Sequence, residues 1–347
     1  NLIARSDVKY DARGNVYQAI RYAVDPATGD VGNSLVGNAW YDASGNRVKV
    51  LPAGSHLFTK TTFDSLGRVE VQYQGYDLDE TSYADAFTVT DDVILEQVET
   101  TYDTASHAVQ VTLRQRYHNA PDTQTGSLHS PGTTPKARVS YQAAWFDGAG
   151  RSVATADYGT NGGTTLSRPD AVPASSDSVL VGQIVYDATG PVQYTIDPAG
   201  KVTSFEYDQA GRRIAVIENE VASPSSSSSS SSTECVPSDD LNRTTLFTYN
   251  ADGQQVTLTA VNSSTTNQTT TWAYGTTLST AEVASSLLLR SVAYPGSVGG
   301  SDQVWVSYNR QGQRTGLTDQ NGSVPSYDYD LLGRLTEDRV TTLGTGI

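Results

Sequence analysis

The chain has 347 residues, a formal net charge of -15, 30 glycines, 20 tyrosines, one cysteine and no methionine. The acidic surplus excludes a nucleic-acid partner, which needs a basic face, and the lone Cys235 excludes an internal disulfide. There is no run of about 18 apolar residues to span a membrane. No initiator Met or signal peptide is visible, and strand-like sequence runs up to both Asn1 and Ile347, so both ends read as cuts from a longer polypeptide.

Residues 1–75 read as hairpins, with turns at Asp11, Asp25-Pro26, Asp42, Pro52-Ala53-Gly54 and Asp64. Alternation in Arg68-Val69-Glu70-Val71-Gln72-Tyr73 puts Val69, Val71 and Tyr73 on one face. Residues 77–92 are acidic and lack a turn motif, which predicts a longer connection. Val93 to Tyr102 is a predicted strand with Ile94 or Leu95 facing a core. Val109 to Tyr117 is another, with Val109, Val111 and Leu113 on its apolar face. Asn119 to Ala137 reads as a surface loop, Arg138 to Trp145 as a strand, and Asn161 to Asp177 as a second long loop. Val179 to Ile217 is the cleanest repeat pair. Ser223 to Asp240 is low-complexity, with serine at every position from Ser225 to Ser232, and cannot bury enough to order itself. Hairpin pattern resumes from Arg243 to Val261. Ser279-Thr280-Ala281-Glu282 fits a capping box, which predicts a short helix to about Ser286, followed by a strand from Leu287 to Tyr294. Four more strands follow from Gln303.

One motif ties these elements together. Tyr329-Asp330-Leu331-Leu332-Gly333-Arg334 recurs as Tyr207-Asp208 to Gly211-Arg212, Phe63-Asp64 to Gly67-Arg68 and Phe146-Asp147 to Gly150-Arg151. Looser copies are Tyr10-Asp11 to Gly14, Tyr41-Asp42 to Gly45, Tyr186-Asp187 to Gly190, Tyr249-Asn250 to Gly253 and Tyr308-Asn309 to Gly312. Tyr102-Asp103 reads as a decayed copy, with Ser106 in the glycine position. Asp at the first position of a type I turn accepts a backbone N–H two residues on, and Gly at the fourth takes the left-handed conformation. Such a turn joins antiparallel strands and brings a bulge. Tyr186 to Tyr207 and Tyr308 to Tyr329 are both 21 residues apart. Each interval holds a second turn, Asp197-Pro198-Ala199-Gly200 or Asp319-Gln320-Asn321-Gly322, so the period is one hairpin out and back. The aromatics fall at one phase of this unit, and their successive copies are expected on one face of the sheet.

The Tyr-Asp-x-x-Gly-Arg motif with the Asp-Pro-x-Gly second turn resembles the YD-repeat, or RHS-repeat, proteins, large secreted or surface polypeptides of bacteria with teneurins as animal relatives. The resemblance covers nearly the whole chain and is closest from Tyr308 to Arg334. It implies an all-β antiparallel hairpin array that coils into a spiral sheet, shell or tube. The expected organisation is one continuous array over 1–347, with loop insertions at about 118–137, 161–177, 223–240 and 262–300. Strands of about six residues, or roughly 20 Å, would number on the order of 25 to 30 at this repeat density.

Chemistry-bearing constellations are missing. His56, His107, His118 and His129 have no metal-ligand spacing and read as solvated positions. Nucleophile, phosphate-loop and dinucleotide motifs are absent. Each Asp-x-x-Gly turn offers one carboxylate, too few for calcium; Asp91-Asp92 and Asp77-Leu78-Asp79-Glu80 are the dense acidic pairs, with weak surface binding at most. Asp197-Pro198-Ala199-Gly200 resembles the motif at which toxin-carrying family members cleave themselves, but it sits mid-array as an ordinary second turn. Asn242, Asn262, Asn267 and Asn321 stand in glycosylation sequons. The expected function is a non-catalytic structural segment, with no metal or cofactor, of a secreted or cell-surface shell, tube or fibre. Its partners would be flanking repeats or further copies of itself. The alternatives are a toxin-enclosing carrier shell, and a glycan-binding adhesin that uses Trp40, Trp145, Trp272 or Trp305.

Overall fold

The alternation between turns becomes a hairpin-by-hairpin β-sheet in a computed structural model, which describes all residues except 1–3, 26, 53–54, 78–84, 131, 222–240, 263–264, 297–301 and 345–347. The turn at Ala53-Gly54, Pro26 of the Asp25-Pro26 turn, the acidic Leu78-Asp79-Glu80 and the serine run with Cys235 lie outside the described residues. The described residues hold twenty-two strands and two single-turn 3-10 segments, Asp85–Phe87 and Asn161–Gly163. The chain divides into two compact units, Asn1–Gln183 and Ile184–Ile347.

The first unit holds β1 (Arg5–Tyr10), β2 (Val16–Val24), β3 (Val31–Tyr41), β4 (Arg47–Leu51), β5 (Phe58–Phe63), β6 (Val69–Tyr76), β7 (Val93–Tyr102), β8 (Ala108–Arg116), β9 (Ala137–Phe146) and β10 (Ser152–Gly159). Each strand pairs antiparallel with the next, and β10 pairs with the start of β11 (Leu180–Tyr186), within which the unit boundary falls. One face of this sheet is covered by the long connections. Phe58, Tyr73, Ile94, Leu128 and Ala137 form one buried cluster. Val139, Tyr141, Ala143, Trp145, Ala154, Ala156, Tyr158, Leu166 and Val181 form another. β9 shows why: alternate residues from Ala137 to Trp145 are buried, and the small Ala143, Ala154 and Ala156 leave room for a covering segment.

The two connections are therefore not plain surface loops. Leu128, 2% exposed, plugs the first cluster, and its N–H donates to the Gln97 side chain at 2.8 Å. Arg116 holds the rest of that segment by donating to the carbonyls of Pro121 and Gln124. Leu166 plays the same part over the second cluster. The apolar face predicted for β8 also differs. Thr112 is the buried residue there, opposite Tyr141 in the ladder, while Val109, Val111 and Leu113 are half-buried, because the covering segments lie on the Thr112 side. Of the two candidates in β7, Ile94 is fully buried and Leu95 is exposed.

The second unit continues with β12 (Val192–Ile196), β13 (Val202–Tyr207), β14 (Arg213–Glu220), β15 (Arg243–Tyr249), β16 (Gln255–Ala260), β17 (Gln268–Thr276), β18 (Ser285–Ala293), β19 (Gln303–Tyr308), β20 (Arg314–Thr318), β21 (Val324–Tyr329) and β22 (Leu335–Thr342). From β12 each strand pairs antiparallel with the next. Among its described residues, Ala215 is the one buried apolar side chain. The helix expected near 280–286 is absent: residues 278–283 form turns and bends, and Ser285 pairs with Thr276. The would-be first-turn donors are taken elsewhere, Ala281 N–H by the Thr277 carbonyl and Glu282 N–H by the Tyr308 carbonyl, so strand pairing of β17 with β18 wins.

Strands run from five residues in β4 to eleven in β3, around the expected six. Among the described residues the strands number fewer than the repeat density predicts.

Candidate functional site

The repeated turn is a small cage built on its own Asp. In Asp208–Arg212 the Asp N–H donates to the Arg212 carbonyl at 2.9 Å and the Gly211 N–H to the Asp208 carbonyl at 2.9 Å. Asp208 Oδ1 accepts the N–H groups of Ala210 and Arg212, both at 2.9 Å, and Oδ2 accepts Arg212 Nε at 2.7 Å. Gly211 lies at φ 77°, as do Gly67 and Gly333. Arg68, Arg151 and Arg334 repeat the Oδ2 contact on Asp64, Asp147 and Asp330, while Asn15 and Asn46 make it on Asp11 and Asp42. Asn250 and Asn309 reach Gln254 and Gln313 instead. Gly14, Gly45, Gly150, Gly190, Gly253 and Gly312 all have positive φ, as do Gly200 and Gly322 of the second turns at Asp197 and Asp319.

Tyr102-Asp103 is not decayed in space. Ser106 itself takes φ 70° and its N–H reaches the Asp103 carbonyl at 3.1 Å. His107 occupies the arginine position, with Nδ1 2.9 Å from Asp103 Oδ2. Its ring stacks on Phe146 at 4.4 Å between centroids. His107 is therefore a half-buried turn residue rather than a solvated one.

These hydrogen bonds set the electrostatics. The Arg212 guanidinium, and then its backbone N–H, hold the Asp208 carboxyl below the usual carboxylate range. At Asp64, Asp147 and Asp330 the backbone N–H of the residue four on comes first. The His107 side chain does it at Asp103 and the Thr189 side chain at Asp187. Asp11 and Asp319 are lowered chiefly by the backbone N–H groups of Asn15 and Ser323. Every one of these carboxylates is thus committed to its own turn.

Between turns runs a second set of contacts that the sequence does not announce. The aromatic hydroxyl donates back to the carbonyl two residues past the glycine of the preceding motif. Tyr41 reaches Val16, Tyr102 reaches Val69, Tyr207 reaches Val192, Tyr249 reaches Arg213 and Tyr329 reaches Arg314, at 2.7 to 3.1 Å. Tyr308 makes the corresponding bond to Leu289 in β18 at 2.8 Å. The residue after the glycine reaches forward in return. Arg68 donates to the Asp103 carbonyl, Arg212 to that of Asn250, Gln254 to that of Leu287 and Gln313 to that of Gly333. Arg68 also lies 4.4 Å over the Tyr102 ring, and Arg212 4.8 Å over that of Tyr249. Only Tyr can close the backward bond; Phe63 and Phe146 keep the ring without the donor.

Elsewhere the candidates disperse. Trp145 is buried, and its Nε1–H donates to the carbonyls of Pro169 and Asp170, so it anchors a covering loop. Trp40 and Trp272 are half-buried and Trp305 is exposed. Asp92 is no surface ligand: it is buried against Lys60. No group of three or more metal-ligating side chains occurs among the described residues, and no helix there is long and apolar enough to cross a membrane.

Fold and site together define a class, an antiparallel hairpin-repeat array latched turn to turn. The RHS Repeat family model matches residues 186–219, the stretch with both turn types. None of the curated proteins matches the chain. Among solved structures, the chain is similar to a chain of the Photorhabdus luminescens Tc holotoxin pore, with 11% identity, a TM-score of 0.47, and coverage of 96% of this chain and 18% of that one. A crystal structure of TcdB2-TccC3 gives 11% identity, a TM-score of 0.46, and coverage of 96% and 19%. The chain spans about a fifth of the length of these solved chains. Residues 186–219 thus match an RHS repeat, within an array of antiparallel hairpins.

Proposed function

We propose that the chain serves as a non-catalytic structural segment of a larger secreted or cell-surface RHS-repeat protein. In this reading residues 1–347 form one continuous array that builds part of a shell, tube or extracellular fibre. The observation that carries it is the two-way latch. The motifs at Tyr207, Tyr249 and Tyr308 each take a hydroxyl acceptor from the hairpin before and give a guanidinium or amide to the repeat after. A unit whose bonds point to both neighbours is built for stacking. Turn carboxylates filled by their own backbone support a wall, not a reaction centre.

The partners named by this reading are flanking repeats of the same polypeptide, or further copies of it. β22 supports that choice: all of its residues are exposed, and among the described strands it pairs with β21 alone. A long strand with an open ladder is a template for another strand. Light scattering of the purified chain over a range of concentrations tests it. Association that grows with concentration, and that weakens when further repeats are appended after β22, is the expected result. A monomer at every concentration overturns the open-edge argument. Electron microscopy of the associated species then separates a closed wall from a filament.

A further inference from the structure

The first unit buries charge beneath the Asp85–Phe87 turn. Lys60 Nζ lies 2.7 Å from Asp92 Oδ2, with side chains only 4% and 3% exposed. The same Nζ donates to the Thr88 carbonyl at 2.8 Å and sits 4.8 Å from the centroid of the buried Phe58 ring. Lys49 Nζ approaches that ring at 4.8 Å as well. β6 and β7 add a third group. Tyr76 pairs with Val93 at the end of their ladder, so Asp77 and Asp92 occupy the next facing positions. Burial first, and then the charge of Asp77, push the Asp92 carboxyl up from its ordinary range against the pull of Lys60.

An ion pair taken out of water loses much of its hydration, and attraction recovers that only in part. Moving the ammonium proton onto the carboxylate removes both charges and leaves an amine against a carboxylic acid. Those are the reactants of amide formation. In water they stay ionised and apart, whereas in a fixed pair the effective concentration reaches on the order of 10⁵ M or more.

We propose that Lys60 and Asp92 condense to an intramolecular isopeptide bond, with the Asp77 carboxyl relaying the protons. The neutral Nζ attacks Cγ of Asp92 and the C–N bond forms. Asp77 takes a proton from the nitrogen and delivers one to the departing hydroxyl. The C–O bond breaks and one water leaves. Nothing is oxidised or reduced and no co-reactant is consumed. The product amide N–H keeps the Thr88 carbonyl as its acceptor, and no charge remains buried at the pair. The bond would tie β5 to the head of β7, 32 positions apart in sequence, a covalent clamp across two hairpins. It stands whether the array closes or polymerises.

Intact-mass spectrometry of the natively folded chain is the test. The expected mass is lower than the sequence mass by one water, and proteolysis yields a branched peptide joining the segments that carry Lys60 and Asp92. Lys60→Arg restores the full mass and removes the branched peptide, whereas Lys49→Arg keeps both the deficit and the branch. Asp77→Ala lowers the cross-linked fraction. A folded wild-type chain at its full sequence mass overturns the proposal, as does a deficit that persists in Lys60→Arg. An unchanged cross-linked fraction in Asp77→Ala overturns the role given to Asp77.

Discussion

The covered part of the first unit and the whole of the second are built from the same hairpin, yet they are held differently. From Phe58 to Val181 the sheet carries two buried clusters, roofed by the segments that bear Leu128 and Leu166. Burying an aliphatic or aromatic side chain contributes about 1.5–3 kcal/mol each, so that region rests on packing. Among the described residues of the second unit Ala215 is the one buried apolar side chain, and leucines such as Leu246 and Leu287 are exposed. What recurs there is polar and local: the Asp cage, the left-handed glycine, the tyrosine hydroxyl on the preceding repeat. A repeat can thus be stabilised at its edge by turns or on its face by an insertion. The turn alone is what every repeat shares.

Acid should break this comparison most strongly, because it acts on all turns at once. The lowered folded values of Asp187, Asp208, Asp319 and Asp330 mean that their stabilisation is fully present above the unfolded carboxylate range, near 4, and is lost as pH falls through those folded values. Thermal melts should therefore be flat above about pH 5 and fall steeply below about pH 4. The second unit, whose described residues hold no roofed core, should melt first. Next in size is the core itself. Ile94→Ala should cost roughly 2–5 kcal/mol, while Leu246→Ala, on an exposed face, should stay within about 0.5 kcal/mol in denaturant titrations.

Backbone effects come third. Gly211→Val should cost about 1–2 kcal/mol through the left-handed penalty alone, because an added Cβ there meets nothing within 4 Å. Smallest are the latches. Tyr249→Phe and Tyr329→Phe keep the ring and lose the backward hydroxyl bond, for about 0.5–1.5 kcal/mol each. A Tyr249→Phe variant as stable as the parent in denaturant titration would remove the latch from the account.

The hairpin class was legible because Asp, Gly and alternating strands act over four to eight residues, and the chain prints that pattern many times. Ser106 shows the limit of reading by residue type. The position needs a positive φ, not a glycine, and Asp103 with His107 supplies enough bonds to hold a serine there. The tyrosine latch was hidden because its acceptor is a backbone carbonyl fifteen to thirty-six positions away, and no side-chain identity marks a carbonyl. The roofing loops were hidden for a related reason: a single Leu128 or Leu166 in polar sequence has no period. The capping-box residues at 279–282 misled because the pairing of β17 with β18 outweighs a weak local helix signal.

The central claim is that turns and latches carry the second unit where packing carries the first. Amide hydrogen exchange mapped along the intact chain tests it most directly. The account predicts the slowest exchange in β7, β9 and β10, with faster exchange throughout β12 to β22. It also predicts that a combined Tyr207→Phe, Tyr249→Phe and Tyr329→Phe variant speeds exchange in the second unit and leaves β7, β9 and β10 unchanged. Equal protection in both units, or a triple variant that exchanges like the parent, would contradict it.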